Sequence, residues 1–258
     1  MLARTPDGIG IEFVEEIHAL GFDYVELPLA QMAALSQADF QALERAVAQS
    51  GIRCEACNNF FPSALKLTGP DADLSAIMSY AIPAMERAAR LGAKVVAFGS
   101  GPAKLVPAGF PRSSAWRQLV ELLKKISLPA RRLGLNVAIE PLRRQECDIV
   151  NTAAEGLSLV QAVDSEEVKL LVDFFHLDAE NESCQIISAA GGQLCHIHIA
   201  RPEGRRFPSA DDAPLFQAFF ASLGAVLYDQ RISIEAYSKD FRNDARSGLS
   251  FLQGAFPR

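Results

Sequence analysis

The sequence predicts an α/β protein, a parallel (β/α)8 barrel whose first strand is absent or truncated in this chain. Three observations predict it. Short apolar runs alternate with helix-period segments along the chain, joined by brief connections, the pattern of a parallel sheet covered by helices. The length of 258 residues suits one barrel of this kind, expected here as a single domain over 1–258. Several of the apolar runs end in an acid or a histidine, and a parallel barrel carries its chemistry at the C-terminal ends of its strands.

The elements follow in order. Ile11, Val14, Ile17 and Leu20 have helical spacing and Gly21 stops the helix. His18 falls among charged residues there and reads as a surface or packing histidine. The run at 22–27 is a short strand ending near Glu26. A helix over 37–50, stopped by Gly51, precedes a strand at 52–57. A long helix over 73–91 carries Pro83, which predicts an interruption or kink, and Gly92 closes it. A strand at 94–98 leaves through the turn Gly99-Ser-Gly101. A helix over 114–133 and Gly134 lead to the strand Leu135 to Glu140, where Pro141 bars further pairing. Helices over 152–163, 179–190, 213–223 and 240–253 alternate with strands over 168–173, 194–199 and 231–235. Seven strands result. Pro6, Asp7, Gly8 and Gly10 forbid a buried strand before the first helix, so Met1 to Thr5 supply a stub or strand one is missing. A missing strand would leave two unpaired sheet edges that something must cover.

Composition bounds the function. Hydrophobic residues at 49% and charged residues at 22% fit a soluble globular protein. The net charge of -6 argues against nucleic acid or an anionic membrane surface as partner. No apolar stretch approaches the ~18 residues a membrane span requires, and the N-terminus has no signal-peptide core. Five cysteines, an odd number, read as free thiols in a reducing cytoplasm. Cys54-Glu-Ala-Cys57 has CxxC spacing but no second pair and opens no helix, so it reads as structural. Gly99-Ser-Gly101 lacks the third glycine of a dinucleotide fingerprint.

Four consecutive strand ends present Glu140, Asp173, His198 and Glu235. Each acid alone reads equally well as a turn residue or helix cap, and His198 alone as a hydrogen-bonded core histidine. One such group on each of four neighbouring ends is hard to obtain from capping. Three carboxylates brought together repel, and a divalent cation removes that cost. Three oxygen ligands and one imidazole favour Mn2+, Mg2+ or Co2+, with Zn2+ still open. His196 shares a face with His198 and lies one layer deeper, as core or as support. Glu146, His176 and Arg205 follow the strand ends in loops, where substrate-contacting groups sit. Asn58 and Lys104 are weaker candidates.

At these residues the chain resembles the xylose isomerase-like TIM-barrel superfamily, the sugar phosphate isomerase/epimerase group, and within it the ketose 3-epimerases. Ile139-Glu140-Pro-Leu-Arg-Arg-Gln-Glu146, Asn151-Thr-Ala-Ala, Val172-Asp173-Phe-Phe-His176, His196-Ile-His198 with Arg205-Arg206-Phe-Pro208, and Ile234-Glu235 carry it, over roughly 15–240. Cys57–Pro62 and Phe98–Val106 depart from it. The resemblance implies one divalent ion, Mn2+ first, held by Glu140, Asp173, His198 and Glu235. It implies Glu140 and Glu235 as acid and base, and Glu146, His176 and Arg205 on a small sugar substrate. A metal chelated by a ketone and its neighbouring hydroxyl stabilises an enediolate, and a carboxylate on each side inverts C3. Three classes stay open: a metal-dependent isomerase or epimerase, a lyase or dehydratase on an oxidised sugar or cyclitol, and a non-catalytic barrel subunit. An endonuclease-IV-like hydrolase needs more than the four histidines present. A homo-oligomer, dimer or tetramer, is compatible with all of them.

Overall fold

The computed structural model describes residues 8–255. Within them seven strands form one parallel sheet in sequence order: β1 (Tyr24–Pro28), β2 (Arg53–Asn58), β3 (Val95–Phe98), β4 (Asn136–Ile139), β5 (Val168–Asp173), β6 (Leu194–Ile199) and β7 (Arg231–Ile234). Eleven helices are described: α1 (Val14–Leu20), α2 (Leu29–Ala34), α3 (Gln37–Ser50), α4 (Leu74–Leu91), α5 (Gly101–Lys104), α6 (Arg112–Leu133), α7 (Ala153–Val163), α8 (Phe174–Ala179), α9 (Gln185–Ala190), α10 (Ala213–Ala225) and α11 (Phe241–Ala255). The expected stub Met1 to Thr5 lies outside the described residues.

The two-residue period of the strands decides which side chains meet the helices. Val96, Phe98, Val137 and Ile139 join the large cluster under the helices. Ala97, Ala138 and Leu171, on the opposite parity, join a smaller cluster with Ala56, Val95 and Cys195. Each fully buried Leu, Ile, Val or Phe adds roughly 1.5–3 kcal/mol.

The structure corrects several boundaries. The expected 179–190 helix is two: α8 begins at Phe174, capped by the Asp173 side chain on Phe175 N at 2.9 Å, and α9 begins only at Gln185. Asn181, at φ 51, stands between them. The turn after β3 winds into α5, and α2 follows β1 directly. Helices of one or two turns are too short to show a period. The predicted break at Pro83 does not occur; α4 is continuous there, with Ile77, Ala81, Ala84, Met85 and Ala88 buried along one face. The first turn of the expected 11–20 helix is a 3-10 turn, Ile11–Phe13.

Among the described residues, β1 and β7 share no backbone ladder. Their edges flank a cavity of about 510 Å³ that runs from Asp23 and Arg231 up to Glu26 and Glu235. The sheet is thus a barrel with one open seam.

Candidate metal centre

The inner parity of six of the seven strands leads upward to one polar group, and that of β3 leads from Ala97 to Gly99. Asn58 continues from Ala56, Glu140 from Ala138, Asp173 from Leu171, His198 from His196, Glu235 from Ser233, and Glu26 from Tyr24. The expected convergence is present: one ligand atom from each of Glu140, Asp173, His198 and Glu235 lies within 4.8 Å of the other three. His198 Nδ1 is 3.3 Å from Glu140 Oε1 and 3.1 Å from Glu235 Oε2. The imidazole is fully buried and the Glu140 and Asp173 side chains nearly so.

Asp173 reconciles two readings of a strand-end acid. Its Oδ1 caps α8, while its Oδ2 faces the cluster and accepts from Arg205 at 3.1 Å. Burial pushes its carboxyl up to about 7, with Arg205 pulling the other way. Burial also opposes ionisation of Glu235, but Arg205 and His198 outweigh it and hold that carboxyl well below the usual range. Burial disfavours charge on His198, yet Glu26 and Glu235 hold it protonated well above the usual imidazole range. The protein therefore neutralises its acids with His198 and Arg205, and a cation entering the cluster would displace the Nδ1 proton.

Arg205 reaches the centre from the loop after β6. Its guanidinium donates to Glu235 Oε2 at 2.5 Å and lies over the Phe175 ring at 4.7 Å. The residue adopts φ 47, a left-handed conformation that costs a side-chain-bearing residue about 1 kcal/mol or more. That backbone is pinned by Tyr237 N donating to Arg205 O at 2.7 Å. His176, in the first turn of α8, accepts at Nδ1 from Arg143 N at 3.2 Å. Its Nε2 therefore carries the proton, faces Asp173 Oδ2 at 3.6 Å and has no hydrogen-bond partner. Burial, with Arg205 beside it, lowers the ring to about 3, so it is a neutral donor. Glu146 is half-buried, pairs with Arg143 Nε at 2.7 Å and stands 4.0 Å from Arg205. Asn151 holds its loop by donating to Leu142 O and Cys147 O at 2.8 and 2.6 Å.

Four supports extend the sequence reading. Asn58 Nδ2 donates to Glu235 Oε1 at 2.8 Å. Buried Lys104 donates to the Glu140 backbone carbonyl at 3.2 Å, not to the cluster. Gly99 permits the Glu140 rotamer, since a Cβ there would stand 2.2 Å from Glu140 Oε2. Glu26 accepts from both His196 and His198 at 3.0 Å. Burial works against its charge, but those two histidines hold it well below the usual carboxylate range. Its strand ends near an acid like the others, and that shared pattern was the available signal. Nothing in the sequence signalled Gly99.

The donor set suits a divalent cation. Three carboxylates and an imidazole meet in a buried space, and the orphaned His176 N–H faces the same space. His18 is exposed on α1 and stands apart. Cys54 and Cys57 are buried free thiols with Sγ atoms 3.9 Å apart.

Comparison with known proteins bears on the family and the fold. Residues 14–255 match the family described as xylose isomerase-like TIM barrel. A D-psicose 3-epimerase of Ruminiclostridium cellulolyticum is 26% identical over 224 residues, 84% of this chain and 73% of that protein. A D-psicose 3-epimerase of Agrobacterium fabrum is 27% identical over 234 residues, 88% and 79% of the two chains. A crystal structure of D-psicose 3-epimerase in the presence of D-fructose superposes with a TM-score of 0.85 at 23% identity, covering 96% of this chain and 94% of that one.

Proposed function

From the premise that the chain belongs to the xylose isomerase-like TIM-barrel family, we propose that it is a divalent-metal-dependent sugar epimerase that inverts C3 of a ketose through an enediolate. The observation that carries this reading is the meeting of Glu140, Asp173, His198 and Glu235 within 4.8 Å, in a chain whose relatives are D-psicose 3-epimerases.

Glu140, Asp173, His198 through Nδ1 and Glu235 are the residues that would hold the ion, Mn2+ first, with Mg2+, Co2+ and Zn2+ also suited to the donors. When bound, the ion supplies Lewis-acid polarisation of the ketone and offsets charge on the enediolate. Glu140 and Glu235 come from the outer two of four adjacent strands and flank His198 from either side. One carboxylate takes the C3 proton from one face and the other returns a proton to the opposite face. The C3–H bond breaks and re-forms with inverted configuration and no net change in composition. The neutral Nε2–H of His176 donates to a substrate oxygen, which relieves its orphaned state. With Asp173 and Glu235 engaged by a bound ion, Arg205 would be free to bind substrate beside Glu146.

The test is incubation of the purified protein with a panel of ketoses in deuterated water. Deuterium appears at C3, EDTA stops its uptake and Mn2+ or Co2+ restores it. Label at C1 or C2 would instead mean an aldose–ketose isomerase. Loss of water from an oxidised sugar, without label at C3 of a ketose, would mean a lyase.

A further inference from the structure

Glu26 belongs to none of the four ligand positions, yet it is tied to the same imidazole. Its side chain is 9% exposed. Ser233 Oγ donates to Oε2 at 2.6 Å, His196 Nε2 meets Oε2 at 3.0 Å, and His198 Nε2 meets Oε1 at 3.0 Å. The Ser233 hydroxyl is engaged in turn with Tyr24 Oη at 2.8 Å. Bond direction follows from chemistry: an ionised carboxylate only accepts, so both histidines donate to it through Nε2–H. The nitrogen of His198 that faces Glu140 and Glu235 is then Nδ1 alone.

We propose that Glu26 is a positioning residue that, by accepting the Nε2 proton of His198, fixes the ring and its tautomer so that Nδ1 is the nitrogen offered to the cation. The inference rests on the metal reading above and deepens it. Free rotation about the Cβ–Cγ bond or a tautomer exchange would turn a C–H or an N–H toward the carboxylates. A carboxylate on the distal nitrogen prevents both and raises the basicity of the ligating one. Glu26 sits on β1 and His198 on β6, so the bond spans the open seam past β7. The ring's aim is thereby coupled to the approach of β1 to β7. Glu26, His196 and His198 also form a group close enough to ligate an ion. The protons donated by Ser233, His196 and His198 already fill the space between them, so the cluster supports the centre beside it and holds no second ion.

The test titrates chelator-stripped wild type and Glu26→Gln with Mn2+ by calorimetry. It also records imidazole 15N shifts of the wild type loaded with diamagnetic Zn2+. One ion per chain binds the wild type, Glu26→Gln binds it about 10–100-fold more weakly, and His198 coordinates through Nδ1 with the proton on Nε2. A purely structural role would lower the melting temperature of Glu26→Gln and leave its ion affinity unchanged. Equal affinity in the variant, coordination of His198 through Nε2, or two ions per chain overturns the proposal. If the variant does not fold, the 15N shifts of the wild type decide alone. A wild type that takes up no ion sinks the metal reading itself, an outcome distinct from equal affinity in the two proteins.

Discussion

The wall made by β4, β5 and β6 and the seam between β7 and β1 hold the same barrel by different means. Every residue of β6 is buried, as is all of β5 but Lys169, and each of these strands is laddered on both sides. β7 is exposed or half-exposed along its length, and β1 is half-exposed at alternate residues. Across the seam the structure shows side-chain contacts in place of a ladder: Tyr24 with Ser233, Glu26 with Ser233, His196 and His198, and Asn58 with Glu235. The wall fixes Glu140, Asp173 and His198 through the backbone. Glu235, at the end of an edge strand, is laddered on one side only, through its N–H to Ile199 O, and its carboxylate is held by the Asn58 and Arg205 side chains. The comparison teaches that one site can span an open seam when the inward polar residues on its two sides bond to one another.

Substitutions and exchange measurements break or sharpen that contrast. Glu140→Gln in the wall and Glu235→Gln at the seam each lower turnover by about 10²–10⁴-fold with unchanged circular dichroism; full activity in either would remove that residue from the proton transfer. Hydrogen exchange separates the two regions next. Glu235 N donates to Ile199 O, so the alternate amides of Ile232 and Ile234 face the seam. They are expected to exchange on the order of 10³-fold faster than those of Ile197 and Ile199; equal protection would mean that an eighth strand fills the cavity. Gly99→Ala places a Cβ against Glu140 Oε2 and is expected to cost about 10²-fold in turnover by displacing that carboxylate, read as a fall in kcat in a protein of normal melting temperature. Tyr24→Phe removes one hydrogen bond of the seam and costs about 1 kcal/mol, a drop of about 2–4 °C in Tm by calorimetry.

Much of this was legible in the chain and some was not. The seven strands, the long helices and the four converging groups show in the sequence because period and punctuation are local properties. His176 and Arg205 were legible as groups following strand ends, but not that the first lies in a short helix rather than a loop and has an orphaned N–H, nor the left-handed backbone of the second. Short α2, α5 and α8 leave too few turns for a period to register.

By itself the sequence determined the parallel alternation, the order of the strands and the chemical type at each strand end, since each depends on residues within one segment. Only the tertiary structure decided that Glu26 reaches His198 across an open seam, that Gly99 leaves room for the Glu140 carboxylate, and that Asp173 divides its two oxygens between a helix cap and the centre. The first two join residues dozens or hundreds of positions apart, and the third depends on what lies beyond the strand end. Such contacts are fixed by how the strands pack around one axis, which no local pattern encodes.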